Sequence, residues 1–415
     1  MKKRPELLAP VGNWATLNSV KDFTDSVYFG VQEYNMRANA QNFQKEDLPE
    51  IVEICHDHEP PIQTYLCTNI LIYESELQSL ENLLKLAQAA GIDAVIVHDI
   101  AAIQKAREID IPFHISTQAN ISNSVSARFF EDLGAERVIL ARELSLQQIK
   151  TIKEKLSKTE IECFVHGSCC TSISGRCYLS AEIMGSQKYS ANRGNCTQPC
   201  RRKWRIIDDS NNELIYDGKY FLNTKDLCMI EYIPQLIDAH IDTFKIEGRM
   251  KNAHYVKTVT QYYKEALDCY YKGCYTKEKA KEWLKELKKV YNRGFHTGFY
   301  FGHPKPEDIE LERRGNISPY KKEYLGTVQS YHKQSKTGNI LIENINIPVK
   351  KGDKILISGK QHSFIQTLKH INLNGKKCDI KSKTVRNKKD TPILINVRFD
   401  KSVKKSDKIY KISRQ

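Results

Sequence analysis

The sequence predicts an α/β fold: a (β/α)8 TIM-like barrel with a large cysteine-bearing insertion after strand seven, followed by a small antiparallel β-barrel domain. Three observations predict it. Residues 1–250 alternate short β-rich apolar runs with helix-like stretches, the pattern of parallel strands joined by right-handed crossovers. Eight such runs occur, the number that closes a barrel. Beyond Tyr320 the pattern changes to strand alternation and the charge becomes strongly positive.

The eight runs are Leu7–Ala9, Ser26–Phe29, Ile62–Cys67, Ala94–Val97, Phe113–Ser116, Arg137–Leu140, Glu162–Val165 and Thr243–Ile246. Amphipathic segments lie between most of them. In SELQSLENLLKLAQAAG, residues Leu77, Leu80, Leu83, Leu84 and Ala87 share one helical face and Gly91 supplies a stop. An open doubly wound sheet is the competing architecture for the same alternation. Runs seven and eight are separated by far more chain than a normal βα connection needs, and that insertion holds most of the clustered cysteines. Two helical stretches follow run eight, and RGFHTGFYFGHP then reads as a loop. From Tyr324, YLGTVQSYH, NILIENINIPVKKGDKILIS, SFIQTLKHIN, PILINVRFD and DKIYKIS read as strands of a small barrel or sandwich. The expected domains are residues 1–310 and 320–415, with a boundary near Ile317-Ser318-Pro319.

A chain of 415 residues exceeds the size at which one core stops growing. The N-terminus MKKRPELLAPVGNW has no apolar run and is broken by Pro5 and Pro10, so it does not read as a signal peptide. No segment approaches the roughly 18 apolar residues of a membrane span. A cytoplasmic protein with no membrane partner is expected. In a reducing compartment, its 12 cysteines point to metal binding, catalysis or burial rather than disulfides. The scattered Cys55, Cys67, Cys163, Cys269, Cys274 and Cys378 read as small buried hydrophobes. From Tyr320 onward there are 23 Lys and Arg against 7 Asp and Glu, while the preceding residues are nearly neutral. That asymmetry suits a polyanion such as RNA, although a solvated lysine-rich surface would look the same.

In a barrel, function gathers where strands end. The polar residues there are Asn35, Arg37, Asn39, Asn69, His98, Asp99, Gln118, Asn120, Arg142, Glu143, His166, Glu247 and Arg249. Singly, each reads as a cap or a solvated ion pair. Together they describe a polar pocket with several cations, suited to an anionic substrate.

Cys170, Cys177, Cys196 and Cys200 are spaced C-x6-C-x18-C-x3-C. Four thiolates gathered in a reducing compartment make an iron–sulfur or a zinc site. Neither pair has the tight C-x2-C knuckle usual for zinc. Gly167, Gly175 and Gly194 would let the chain wrap a larger object, and Arg176, Arg193, Arg201 and Arg202 would offset its negative charge. Spacing alone leaves iron–sulfur, zinc and unrelated cysteines open. Motifs for zinc proteases, serine hydrolases and phosphate or dinucleotide binding are absent from the sequence. A nucleophilic cysteine paired with His166, near Cys169 and Cys170, is a further reading.

ECFVHGSCCTSISGRCYLS, residues 162–180, resembles the signature of the peptidase U32 family. ELLAPVGNW, VYFGVQEYNMRANAQNF, HISTQANISN, NRGNCTQPCRRKW, LNTKDLC and FKIEGRM support the resemblance. Cys169 stands where the family usually has an aliphatic residue. The family name implies collagenase-like peptidases of unknown catalytic type, yet other members resemble oxygen-independent hydroxylases of tRNA, ribosomal RNA and ubiquinone precursors. The resemblance therefore implies an iron–sulfur-dependent RNA hydroxylase, foremost one converting tRNA wobble uridine to 5-hydroxyuridine. It implies a [4Fe-4S] cluster on Cys170, Cys177, Cys196 and Cys200, with Cys228 as the alternative fourth ligand, and prephenate as a possible co-substrate. The catalytic candidates are His166, Glu247 and Arg249. The substrate-binding candidates are Arg37, Asn39, Gln118, Arg142 and Arg176. The expected partners are tRNA or another RNA, docked by the basic C-terminal domain, and an electron-donor protein. The alternatives are a peptidase and a non-catalytic RNA-binding protein with structural zinc.

Overall fold

The eight apolar runs form strands in the computed structural model, which describes residues 3–174, 176–213, 218–373, 376–377 and 393–414. In chain order the first ten strands are β1 (Glu6–Pro10), β2 (Ser26–Phe29), β3 (Gln63–Thr68), β4 (Ala94–Val97), β5 (Phe113–Ile115), β6 (Arg137–Ile139), β7 (Glu160–Ser168), β8 (Asp226–Cys228), β9 (Thr243–Ile246) and β10 (Phe295–His296). Strands β1 to β7 pair in sequence, all parallel. Strand β9 pairs parallel with both β7 and β1 and closes the ring. The eight barrel strands are the eight predicted runs, with β9 as the last. Strands β8 and β10 were not foreseen. The first lies antiparallel on β7 and the second parallel on β8, so both stand outside the ring. The helix at Leu77–Ala89 buries Leu80, Leu83, Leu84 and Ala87, four of the five residues on its predicted face.

The barrel interior is charged as well as apolar. Glu162, 0% exposed, accepts from Lys245 and lies 3.4 Å from Arg137. Arg137 also pairs with Glu6 and Glu160. These residues alternate along their strands with the buried apolar Ile161, Cys163 and Phe244, so polar and apolar positions follow the two-residue period. Cys55, Cys67 and Cys163 are buried. The expectation for Cys269 and Cys274 is corrected. They form a disulfide across the turn that follows helix Ala253–Tyr271, their Cα atoms 5.0 Å apart. Gly175 and Cys378 lie outside the described residues.

The chain divides into two units. One is Met1–Gly12 with Val20–Ile317, and the other Asn13–Ser19 with Ser318–Gln415. The second carries β11 (Tyr320–His332), β12 (Thr337–Ile342), β13 (Lys354–Ser358), β14 (Ser363–Thr367), β15 (Ile371–Leu373), β16 (Lys376–Lys377), β17 (Ile393–Arg398) and β18 (Lys408–Arg414). They form one antiparallel sheet in the order β14-β13-β18-β11-β12-β17-β15-β16. One face supplies a core that includes Val328, Ile340, Ile355, Ile395 and Ile409. The basic run KSKTVRNKK lies outside the described residues.

Candidate functional site

Two adjoining cavities lie at the C-terminal ends of the barrel strands. The larger, about 590 Å³, is walled by the cysteine segments, by Leu140 to Leu144 after β6, and by His296 to Tyr300. The smaller, about 40 Å³, shares residues including Arg37, Gln118, Arg142 and Phe164 with it and is also lined by the strand residues Tyr28, Cys67 and Lys245 and by Glu247 and Arg249 just beyond β9. This is the barrel mouth, where the βα connections converge.

The smaller cavity is cationic. Arg37 donates to Glu247 at 3.2 Å. Arg142 places its guanidinium 3.9 Å from the centre of the Phe164 ring and donates to the Ser168 carbonyl. Lys245 stands over the Tyr28 ring at 4.2 Å. Arg249, 5% exposed, has a buried Nη1 with no hydrogen-bond partner. Burial alone would raise the Glu247 carboxyl, but Arg37, Arg142 and Arg249 hold it below the ordinary carboxylate range. One carboxylate thus faces three arginines, Lys245 being paired with Glu162, and an unsatisfied guanidinium nitrogen points to an anionic guest. Gln118 is fixed by the Asn69 amide at 3.2 Å and by the Ser116 hydroxyl.

Cys170, Cys177, Cys196 and Cys200 all line the larger cavity, as does Cys169. Two close approaches hold their segments over the barrel. Gly167 has φ of 110°, and a Cβ there would lie 2.4 Å from the Glu247 carbonyl oxygen. Gly194 has φ of 84°, and a Cβ there would lie 2.4 Å from the Asn35 oxygen, beside the turn that carries Arg37. Only glycine meets both demands at little cost. Side chains pin the rest: Glu143 accepts from Ser174, and Asn192 accepts from the Cys177 amide. The Gln198 amide donates to Cys196 Sγ at 3.3 Å. Burial raises the Cys196 and Cys200 thiols, and the neighbouring sulfurs of Cys170 and Cys177 add to it. Among the described residues, no three His, Cys, Asp or Glu side chains are grouped to hold a single metal ion. Cys228 is absent from the cavity wall. It is buried beside Tyr263, and burial pushes its thiol up to about 12.

The family profile of peptidase family U32 matches residues 12–310. The chain belongs to peptidase family U32. It is 42% identical to an uncharacterized protease of Methanocaldococcus jannaschii, the match covering 98% of this chain and 97% of that protein. It is 37% identical to a collagenase of Porphyromonas gingivalis, over 99% and 98% of the two chains. It is 36% identical to tRNA hydroxylation protein P1 of Bacillus subtilis, over 89% and 87%. The U32 relatives thus carry protease names and an RNA-modification name.

Of the residues expected in this U32 site, the structure brings together Arg37, Gln118, Arg142, Glu247, Arg249 and the four cysteines. It does not bring three others. Asn39 is exposed and lines neither cavity. Arg176 is exposed and donates to the Gln118 carbonyl. His166 sits 1% exposed among Tyr255, Tyr263 and Phe295. The reason is a register shift against β9 between Phe164 and His166: an irregularity there breaks the alternation that would have put both on the cavity face. Burial lowers the His166 imidazole to about 4. Its unfolded value is near 6.5, so the unfolded chain takes up the proton first and stability falls as pH drops from about 6.5 towards 4. His166→Phe should flatten that loss by about 2 kcal/mol, read from urea midpoints at pH 7 and pH 4.5; parallel losses in both proteins would refute the assignment.

Lys245 was missed. It sits in FKIEGRM, where it reads as an interruption of a strand, and its inward position follows only from sharing a face with Glu247 two residues on. His296 was missed too. It lines the larger cavity, and both its ring nitrogens are buried without a partner.

Proposed function

We propose that this U32 protein is an iron–sulfur-dependent, oxygen-independent RNA hydroxylase acting on tRNA wobble uridine to give 5-hydroxyuridine. One observation carries the reading: four cysteines share a cavity wall with a cationic barrel mouth. The B. subtilis relative named for tRNA hydroxylation adds support.

The donor set fits a [4Fe-4S] cluster on Cys170, Cys177, Cys196 and Cys200. A lone zinc ion needs every sulfur at about 2.3 Å from one point, whereas each iron of a cubane takes a single thiolate. An amide already donating to Cys196 Sγ is the kind of bond that stabilises cluster sulfur. The Cys196 and Cys200 thiols, raised by burial and by the neighbouring sulfurs, would release their protons to solvent on binding a group that brings positive charge. When bound, the cluster supplies one-electron redox chemistry, and an electron-donor protein is its partner.

Arg37, Arg142 and Arg249 hold a small carboxylate co-substrate of the prephenate kind, with Lys245 adding charge below them. Glu247, kept ionised by the same arginines, accepts a proton at its free carboxylate oxygen. The apolar wall of Leu140, Leu144 and Phe299 excludes water around an unstacked base, and a single-stranded anticodon loop releases such a base readily. The basic second unit docks the tRNA backbone. No helix among the described residues is long and apolar enough to cross a membrane, and an RNA substrate places the protein in the cytoplasm.

A peptidase needs an activated nucleophile. Among the described residues, the Ser174 and Ser180 hydroxyls at the cavity are bonded to Glu143 and Thr197 rather than to histidine. Nucleoside mass spectrometry of tRNA from a deletion strain, beside gelatin hydrolysis by the purified protein, separates the readings. Loss of 5-hydroxyuridine without gelatinase activity is expected; unchanged nucleosides would sink the proposal.

A further inference from the structure

Resting on the cluster reading above, we propose that Arg201 is the positioning residue of the four-cysteine site, tying its two halves together and supplying the positive charge that sets its redox poise.

The Arg201 side chain is buried, at 7% exposure. It donates to Asn223 Oδ1 at 2.9 Å, to the Thr224 carbonyl at 2.6 Å and to the Cys169 carbonyl. All three acceptors are neutral oxygens. A buried guanidinium ordinarily has an anionic partner. The carboxylate that acts on it through space, Asp226, is already paired with Arg293. Arg293 opposes its charge, and the remaining groups that favour it are the sulfurs of Cys200 and Cys170, which are anionic as thiolate ligands. Its geometry joins what the sequence separates. Arg201 follows Cys200 directly, while its Nη2 holds the carbonyl immediately before Cys170, which also accepts from Thr224 Oγ1 at 2.8 Å. One side chain therefore fixes the spacing between the GSCC segment and the NCTQPC segment. Two other arginines near the cysteines are engaged elsewhere: Arg193 pairs with Glu76, and Arg176 is exposed beside Gln118.

Two separable effects follow. The three-way hydrogen bonding holds the thiolates at cluster spacing, so its loss loosens the metal. The charge favours the more negative, reduced cluster, so its loss lowers the midpoint potential.

The test uses the full-length protein, reconstituted anaerobically with iron and sulfide, as wild type, Arg201→Gln and Arg201→Lys. Folding is checked by circular dichroism, iron loss is timed against a chelator, and the potential is read by spectroscopic redox titration. Arg201→Gln should lose iron about 10-fold faster or more and titrate at a lower potential. Arg201→Lys keeps the charge but cannot reach three acceptors, so it should lose iron faster while titrating near wild type. If Arg201→Gln does not fold, the Arg201→Lys pair of readings carries the test. Wild-type chelation rates in both variants would overturn the positioning role, and an unshifted potential in Arg201→Gln would overturn the electrostatic one. A wild-type protein that takes up no iron would remove the cluster reading itself, and this inference with it, before any variant is compared.

Discussion

Cys170→Ala should abolish stable cluster binding, taking anaerobically reconstituted protein from about four iron atoms per chain to a labile remnant, with the hydroxylated nucleoside lost in cells that depend on it. Cys169→Val and Cys228→Ser should keep their iron. The contrast tests geometry rather than mere sulfur content. Cys169 and Cys170 are neighbours and both line the larger cavity, but Cys170 is exposed to it while Cys169 is 9% exposed, its thiol raised by burial and its carbonyl held by Arg201 and Thr224. Cys228 is walled off beside Tyr263. Equal iron loss in Cys169→Val and Cys170→Ala, measured by iron and acid-labile sulfide, would contradict the ligand assignment.

The second large effect concerns the barrel itself. Glu162→Ala should destabilise the first unit by about 3–5 kcal/mol, because it leaves Lys245 and part of the Arg137 charge buried without a counter-ion. Glu162 is 0% exposed, and Lys245 and Arg137 are each 5% exposed at the side chain, so water cannot take its place. Urea melts with an unchanged denaturant slope and a lower midpoint would show it. The change should also reach the site, since Lys245 lies two residues from Glu247 on the same strand face. A loss below about 1 kcal/mol, the range of an exposed ion pair, would mean that the network is hydrated.

The barrel was legible because its strands are buried on both faces. That makes them short apolar runs such as Ala94–Val97, with polar residues marking their mouth ends, and the strand ends named Arg37, Gln118, Arg142, Glu247 and Arg249 without any three-dimensional information. The clustered cysteines were legible because a reducing compartment gives them few other reasons to gather. What could not be read has local physical causes. Strands β8 and β10 span three and two residues, too few to show a period; β8 exists because the insertion folds back onto β7, and β10 adds to β8 from the chain beyond β9. His166 was assigned to the site because it directly follows the seventh apolar run, and the irregularity between Phe164 and His166 carries it away from the cavity face. The Cys269–Cys274 bridge closes a turn whose sequence looks like any helix end. Lys245 is a charged residue inside a strand, which a pattern of apolar runs records as noise although a polar barrel interior requires it. Arg201 was one of four arginines offered as charge balance, and only packing shows that it is buried with neutral acceptors.

Whether the four-cysteine site carries the hydroxylation is read from mass spectrometry of tRNA nucleosides from a deletion strain complemented with the wild-type protein or with Cys170→Ala, expressed to equal levels. 5-Hydroxyuridine should be restored by the first and absent with the second. Restoration by both, or by neither, would contradict that role.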